Sequence, residues 1–301
     1  MSEEERQEEA ARWLPFVQAF VAAYEQGEGL SFGARGSVVR QAEKAVSPLA
    51  GREGSGPTVL LCSPHPDDEV LTGALALRLR QEQGARVVNL AVTLGSNPAR
   101  QAARWHELAA ACAVVGFECQ RFPAPSGFDL KAGAGGKGWS AAVQGLVGLF
   151  EGLRPDFVLF PHLQDQHPAH VETNRLLSAA LARFTEHGEH TVTAVETEYW
   201  RPMAAPNLLV GVSAPDLSLL LAAVACHRGE IARNPYHLTY PARLMDSVRR
   251  GAELIKAPAG AYPGFVFGEL YRLSVWRRGR RRALTLTEGR LGPDQGLDEF
   301  A

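Results

Sequence analysis

The sequence predicts an α/β fold, a mostly parallel sheet with helices on both faces, preceded by a helical extension. Three observations carry that reading. From Thr58 onward, short apolar runs alternate with helical patterns of roughly 10–15 residues, as in strand–helix–strand units. Gly84 and Gly116 stand just past the last periodic residue of two of those helices, where a helix is stopped. The chain has 301 residues and is 46% hydrophobic, enough for a sizeable core in one large domain or two small ones.

The elements follow in order. Residues 4–26 place Trp13, Phe16, Val17, Phe20 and Tyr24 at intervals of three and four, an amphipathic helix. A second helical pattern lies near 37–46, and the punctuation AGREGSGP closes the segment. Residues 1–57 are read as an N-terminal helical extension packed on a main domain of residues 58–301. TVLLCS (58–63) is a short buried strand, GALALRLRQEQG (73–84) a helix, ARVVNLAVTLG (85–95) a strand and ARQAARWHELAAACAVVG (99–116) a helix. FECQRFP (117–123) is a shorter strand, followed by a Gly-rich loop and the helix WSAAVQGLVGLFEGL (139–153). PDFVLFPH (155–162) is the next strand and HVETNRLLSAALARF (170–184) the next helix. HTVTAVETEYW (190–200), NLLVGVS (207–213) and YRLSVWRR with RALTL (271–286) supply further strands, with antiparallel edges. Two helices, about 214–232 and 240–255, lie between them.

Charge and cysteine usage exclude several classes. With 31 basic and 33 acidic residues the net charge is −2, so no global field points to nucleic acid or an anionic membrane. No apolar run approaches the roughly 20 residues of a membrane span. The N-terminus MSEEERQEEAARWLPFVQAF is acidic where a secretory signal is basic, which points to a cytoplasmic protein. Cys62, Cys112, Cys119 and Cys226 have no CxxC spacing and sit in apolar segments, as buried free thiols do. The cluster RRGRRR (277–282) surrounds a glycine as a solvated hairpin turn does, without the aromatic interleaving of a nucleic-acid patch.

In an open α/β sheet, ligands bind outside the carboxyl ends of the strands. Two polar clusters fall there. The first strand runs into Ser63-Pro64-His65-Pro66-Asp67-Asp68-Glu69, and PDFVLFPH runs into LQDQHPAHVETN, with Asp165, His167 and His170. His65 and Asp68 are three apart, as are His167 and His170, a spacing that converges two side chains at a tight helix entry. A divalent metal accounts for both clusters: imidazoles with a carboxylate are usual zinc ligands, and three of them leave a position open. A spare carboxylate beside the metal is what a hydrolase uses as a base. Helix-dipole chemistry accounts for the acids without any metal, and an isolated HxxH is more often two surface histidines.

PHPDDE after one strand and HPAH after a later one resemble the PIG-L/LmbE family of metal-dependent deacetylases, whose pattern is (A/P)HPDDE and HPDH on a Rossmann-like sheet. The likeness covers about Thr58 to Trp200, and more loosely the rest to Leu284. It implies removal of an acetyl group from the amide nitrogen of an N-acetylglucosamine-type substrate. By the resemblance, His65, Asp68 and His170 are ligands of Zn2+ (Fe2+ being the alternative), and Asp67 is the general base. His167 matches the histidine that stabilises the tetrahedral intermediate or protonates the leaving amine. Arg104 and Glu107 in RWHE resemble a family R-x-x-E helix whose arginine holds sugar hydroxyls, and Asp129 in SGFDL matches an acidic sugar-binding residue. One position departs: Ala169 stands where the family has an aspartate that orients the neighbouring histidine, and Asp165 is the candidate to compensate.

Other features belong to the walls. ETEYWRP closes a strand on the same rim, so Glu198, Tyr199, Trp200 and Arg201 are candidates to line the substrate pocket. KAGAGGKGWS (131–140) lacks the GxxxxGK[ST] spacing of a phosphate loop and reads as a mobile flap. His162 reads as a structural histidine, and His227 falls where the family often carries a site-facing one. The expected partner is a small N-acylated sugar or conjugate, with no nucleic acid and no membrane span; a homo-oligomer is left open. Hydrolysis of a non-sugar amide, a catalytically weak sugar-binding member and, third, a nucleotide-binding protein are the alternatives.

Overall fold

The structure is a computed structural model that describes residues 3–33, 36–46, 55–188, 190–255, 261–286 and 288–297. Most of the AGREGSGP punctuation lies outside the described residues. Two helices come first, α1 (Glu3–Glu28) and α2 (Gly36–Ala45). Then β1 (Thr58–Ser63), α3 (Asp68–Leu71), α4 (Ala74–Gln83), β2 (Arg86–Ala91), α5 (Pro98–Val115) and β3 (Glu118–Arg121) follow. Next come α6 (Trp139–Leu153), β4 (Phe157–Pro161), α7 (Pro168–Phe184), β5 (Thr191–Thr197), β6 (Leu208–Val212) and α8 (Ala214–Val224). The chain ends with α9 (Arg228–Ile231), α10 (Tyr236–Leu254), β7 (Phe267–Arg277), β8 (Arg280–Ala283) and β9 (Arg290–Leu291).

The strands join in one sheet of order β3-β2-β1-β4-β5-β7-β6-β9, with β8 hairpinned on β7. β1 to β5 pair in parallel, while β7 runs antiparallel to β5, β6 and β8. This is the expected α/β architecture with an antiparallel flank. Period-two alternation builds its two cores. Val59 and Leu61 of β1 face one layer with α4, α5, α8 and α10, while Leu60 and Cys62 face another with α6 and α7. All four cysteines are buried free thiols. At the β7–β8 turn Arg278 and Gly279 both take positive φ (51° and 67°), a tight hairpin geometry that leaves β8 and its arginines exposed.

The strand order places β1 beside β4, paired from Val59↔Phe157 to Leu61↔Leu159. Chain progression turns left from β1 and right from β4, so a crevice opens between their carboxyl ends. Both polar clusters leave the sheet at that point.

Three expectations change. The helix expected over 214–232 is two helices, because the chain breaks after Val224 to bury His227 against Glu69. The next helix begins at Tyr236 rather than near 240, and β9, two residues beside β6, is too short to leave a pattern. The stripe of α1 is not packed on the domain: Trp13 is 64% and Phe16 61% exposed, with Val17, Phe20 and Tyr24 also in solvent. The helix meets the domain through α10, where Gly27 approaches Leu238, whereas α2 packs on α5.

Candidate metal centre and cleft

Pro64 has no N–H to extend the β1 ladder, so the strand ends and the chain turns through His65 and Pro66. Asp67 then takes φ 117°, a backbone position that costs a non-glycine residue about 1–3 kcal/mol. Its surroundings hold it there. The Asp67 N–H donates to Glu69 Oε2 at 2.8 Å, and its carbonyl accepts from Val70 and Leu71 N–H at 3.1 Å. Glu69 Oε1 in turn lies 2.6 Å from His227 Nε2, both side chains fully buried. His227 therefore sits behind the motif rather than facing the cleft, and Glu69 supports the helix start by pinning Asp67.

The second cluster is arranged by Asp165. Its Oδ1 accepts the His167 N–H at 2.8 Å, and its Oδ2 lies 3.4 Å from His170 Nδ1 and accepts the Trp200 N–H at 3.3 Å. Pro168 opens α7, and His167 at its N-cap makes no side-chain cap bond, which leaves the imidazole to the cleft. Asp165, the candidate to compensate for Ala169, thus reaches the His167 backbone and the His170 ring but not the His167 ring. The His167 Nδ1 atom is buried without a hydrogen-bond partner.

The two clusters meet. Asp68 Oδ2 lies 3.4 Å from His65 Nδ1 and 3.3 Å from His170 Nε2. His65, His167 and His170 form a group whose ligating nitrogens all lie within 4.8 Å of one another. Both His170 nitrogens are buried without a hydrogen bond, although carboxylate oxygens stand 3.3 and 3.4 Å away. Unsatisfied imidazole nitrogens facing a carboxylate fit a divalent cation such as zinc.

Electrostatics agree with that fit. Burial lowers the His170 pKa, but Asp68 and Asp165 outweigh it and raise it to about 10. A setting that binds a proton so firmly also binds a cation, which displaces the proton. Burial drives Asp68 upward, yet His170 and His65 hold it well below the usual carboxylate range. Asp67 is the opposite case: burial first, then the charges of Asp68 and Glu69, push it well up. For His167, burial and the neighbouring His65 and His170 lower the pKa to about 4, so its ring is neutral at neutral pH.

A cleft of about 950 Å³ opens over this group, and His65, Asp67, Asp68 and His167 form its floor. Tyr199 and Trp200 line it, with Trp200 stacked 6.2 Å from the His167 ring and Arg243 4.4 Å over Tyr199. Asp129 lines it while accepting the Lys131 N–H at 3.0 Å. Arg104 lines it too, but as a brace: it donates to Pro66 O at 3.0 Å and its Nε is 3.3 Å from Glu230. The structure does not bring Arg201 into the cleft; its side chain is exposed, and its carbonyl is bound by His162 Nε2 at 2.8 Å. Glu198 is turned away as well, paired with Arg250 and accepting the Met203 N–H at 2.7 Å. Of the segment expected as a flap, Gly133 is buried and the short 3-10 turn from Leu130 to Gly135 packs on α7, while more than half of its residues are exposed. Sequence reasoning missed Arg100, Glu230, Arg233 and Tyr236, which also line the cleft. No pattern flagged them: Arg100 is an ordinary helix arginine near the start of α5, and the others come from C-terminal segments that approach the motif loops only in the folded chain.

The fold and site define an α/β protein with a histidine group that could hold a metal ion at the switch point of its sheet. Residues 60–181 match the family model described as PIG-L, GlcNAc-PI de-N-acetylase, and both polar clusters fall inside that segment. That segment of the chain, the one that holds the site, is similar to the PIG-L family. Its fold is also that of a conserved protein from Thermus thermophilus (TM-score 0.52, 23% identity, covering 71% of this chain and 93% of that one). The 4-carboxy-2-hydroxymuconate hydratase of Pseudomonas putida is similar at TM-score 0.54 and 18% identity, over 72% of this chain and 95% of that one. The N,N'-diacetylchitobiose deacetylase of Pyrococcus horikoshii is similar at TM-score 0.51 and 18% identity, over 73% and 84%. At such identities the likeness is one of fold, and the fold evidently hosts more than one chemistry. No curated protein sequence matches the chain.

Proposed function

We propose that the protein is a metal-dependent N-deacetylase acting on an N-acetylglucosamine-type amide, with Zn2+ as the ion and Fe2+ as its alternative. The observation that carries this reading is the meeting of His65, Asp68 and His170, from two adjacent strands, with the carboxylate of Asp67 beside them on the cleft floor. Those three residues hold the ion. When bound, a divalent cation supplies Lewis acidity, activating water and polarising the acyl carbonyl.

The chain's own residues do the rest. Asp67 accepts the proton of the attacking water as the C–O bond forms, and burial with the charges of Asp68 and Glu69 raises its pKa, which strengthens it as a base. His167 stands over the same floor and offers the developing oxyanion a partner once it carries a proton. The C–N bond then breaks, with a proton passing from Asp67 or His167 to the amine, to give acetate and a free amino sugar. Tyr199 and Trp200 provide flat apolar surface for a sugar ring.

One observation favours a second reading. With Ala169 in place of a carboxylate, the His167 Nδ1 atom has no partner and the ring seldom carries a proton to donate at neutral pH. A member that binds an N-acyl metabolite and turns it over slowly fits that feature.

Metal content and amine release, measured on one preparation with a panel of N-acetylglucosamine derivatives with and without chelator, separate the two. About one metal per chain with chelator-sensitive amine release supports the deacetylase. Metal without release favours the binding member, and failure to take up zinc or ferrous iron overturns both.

A further inference from the structure

The wall of the cleft beside the motif loop is built from arginines that share a single acid. Glu230, at the end of α9, is buried, its side chain only 3% exposed. Arg100 Nη2 lies 2.8 Å from its Oε1, Arg104 Nε 3.3 Å from the same oxygen, and Arg233 is paired with Oε2. All four residues line the cleft. Glu107, on the same helix as Arg100 and Arg104, spends its Oε1 on the Gly229 N–H and does not line the cleft. On the opposite wall, Lys131 has Asp129 two residues away. Among the described residues, Glu230 is the one carboxylate within ion-pair distance of all three guanidiniums, so Arg100 and Arg233 share a single acid, while Arg104 also feels Asp67 of the motif loop.

The three arginines are not equivalent. Arg104 is buried, donates to Pro66 O and Leu94 O, and holds its Nε 3.3 Å from Glu230 without a hydrogen bond. Arg100 and Arg233 keep side chains 34% and 57% exposed and spend one terminal nitrogen each on Glu230, leaving donors toward the cleft. Guanidinium forks that are half desolvated and lack a full complement of acids bind phosphate or carboxylate oxygens in pairs. Glu230 keeps the two side chains in place without neutralising them.

We infer that Arg100 and Arg233 form an oxyanion subsite, so that the natural substrate carries a phosphate or carboxylate on the part of the molecule remote from the scissile amide. The inference rests on the reading of the floor as an N-acylated sugar site. It adds that neutral sugars are poor ligands. Arg104 ties the subsite to the floor, since it joins Glu230 to the carbonyl of Pro66 inside the motif loop.

The test is calorimetric binding of three glycosides of N-acetylglucosamine to the metal-loaded full chain: the methyl glycoside, the carboxymethyl glycoside and the 1-phosphate. One anionic ligand is expected to bind about tenfold or more tighter than the methyl glycoside, as expected of charge-assisted hydrogen bonds. The preference should shrink with added salt. Which anion wins separates phosphate from carboxylate. In Arg100→Gln with Arg233→Gln the ratio of anionic to neutral affinity should fall to about threefold or less. Equal affinities for the three ligands in the wild-type chain overturn the subsite, whether or not the variant folds. So does a preference that survives in a folded double variant. Amine release is read in parallel. Anion preference without amine keeps the subsite and removes the deacetylase, while amine release from all three at equal affinity does the reverse.

Discussion

β1 and β4 end in residues that face the cleft, whereas the first halves of β7 and of the helix before it carry residues that face the backs of those loops. In the parallel half, His65, Asp67, Asp68, His167 and His170 come from two neighbouring strand ends. In the antiparallel flank, Glu269 is buried and accepts from the Tyr240 and Tyr271 hydroxyls and from the Ala74 N–H at 3.1 Å. Tyr240 also reaches Val70 O at 3.3 Å, the Leu75 N–H donates to the Tyr271 oxygen at 2.9 Å, and Arg243 donates to Leu71 O at 2.9 Å. The bonds to Ala74, Val70, Leu75 and Leu71 all end on α3 or the start of α4. One half of the sheet presents reactive groups, and the other fixes the short helix on which two of them ride. Local sequence could not hold a four-residue helix that starts from a positive-φ aspartate.

The sharpest way to break that division is inside the first half. His170→Ala should lose bound metal, read as metal per chain, while Asp67→Asn should keep metal and lose about 10²–10⁴-fold in turnover. An Asp67→Asn chain with wild-type turnover on a true substrate would remove it as the base. A smaller effect is expected from the flank. Glu269→Ala removes the shared acceptor of two tyrosine hydroxyls and leaves the Ala74 N–H without its partner, so urea unfolding should show a loss of about 3 kcal/mol. Apparent metal affinity should fall as well, although Glu269 touches no ligand; unchanged metal affinity would make the flank a mere scaffold.

Glu269 also offers a pH test. Burial raises its pKa above the ordinary value, with Arg243 and the two tyrosines only partly opposing this. A carboxyl raised in the folded state stabilises fully below the unfolded value near 4.5 and loses that contribution as pH rises through the folded value. Relative to Glu269→Gln, which does not titrate, the wild-type Tm should therefore decline across that interval. A constant difference would mean that Glu269 is not perturbed. The smallest effect belongs to α1: Phe16→Ser changes a residue 61% exposed and should shift stability by no more than about 0.5 kcal/mol. A larger loss would mean that the stripe is covered in solution.

Much of the parallel half was legible because its signals are local. TVLLCS, PDFVLFPH and the glycine stops at Gly84 and Gly116 act within a few residues of themselves, and the strands and helices fall where those signals put them. The amphipathic spacing of α1 was legible too, but spacing says which side chains share a face and not what covers it. His227 was hard to place for the same reason: its partner Glu69 is 158 residues away, and one side of that pair looks like any helix histidine.

By itself the sequence determined the alternation that makes a parallel sheet, the strand ends that must carry His65 to Glu69 and Asp165 to His170, and the chemistry those residue types can perform. Short-range periodicity, proline and glycine punctuation and donor identity are properties of the chain alone. Tertiary structure decided that β1 and β4 are neighbours, that Asp68 stands between His65 and His170, and that Arg201 and Glu198 turn away while Arg100 and Arg233 turn in. Those outcomes depend on which strands pair and on where three helices from the far end of the chain come to rest. Such contacts are set by burial summed over the whole core, and no short segment encodes that sum.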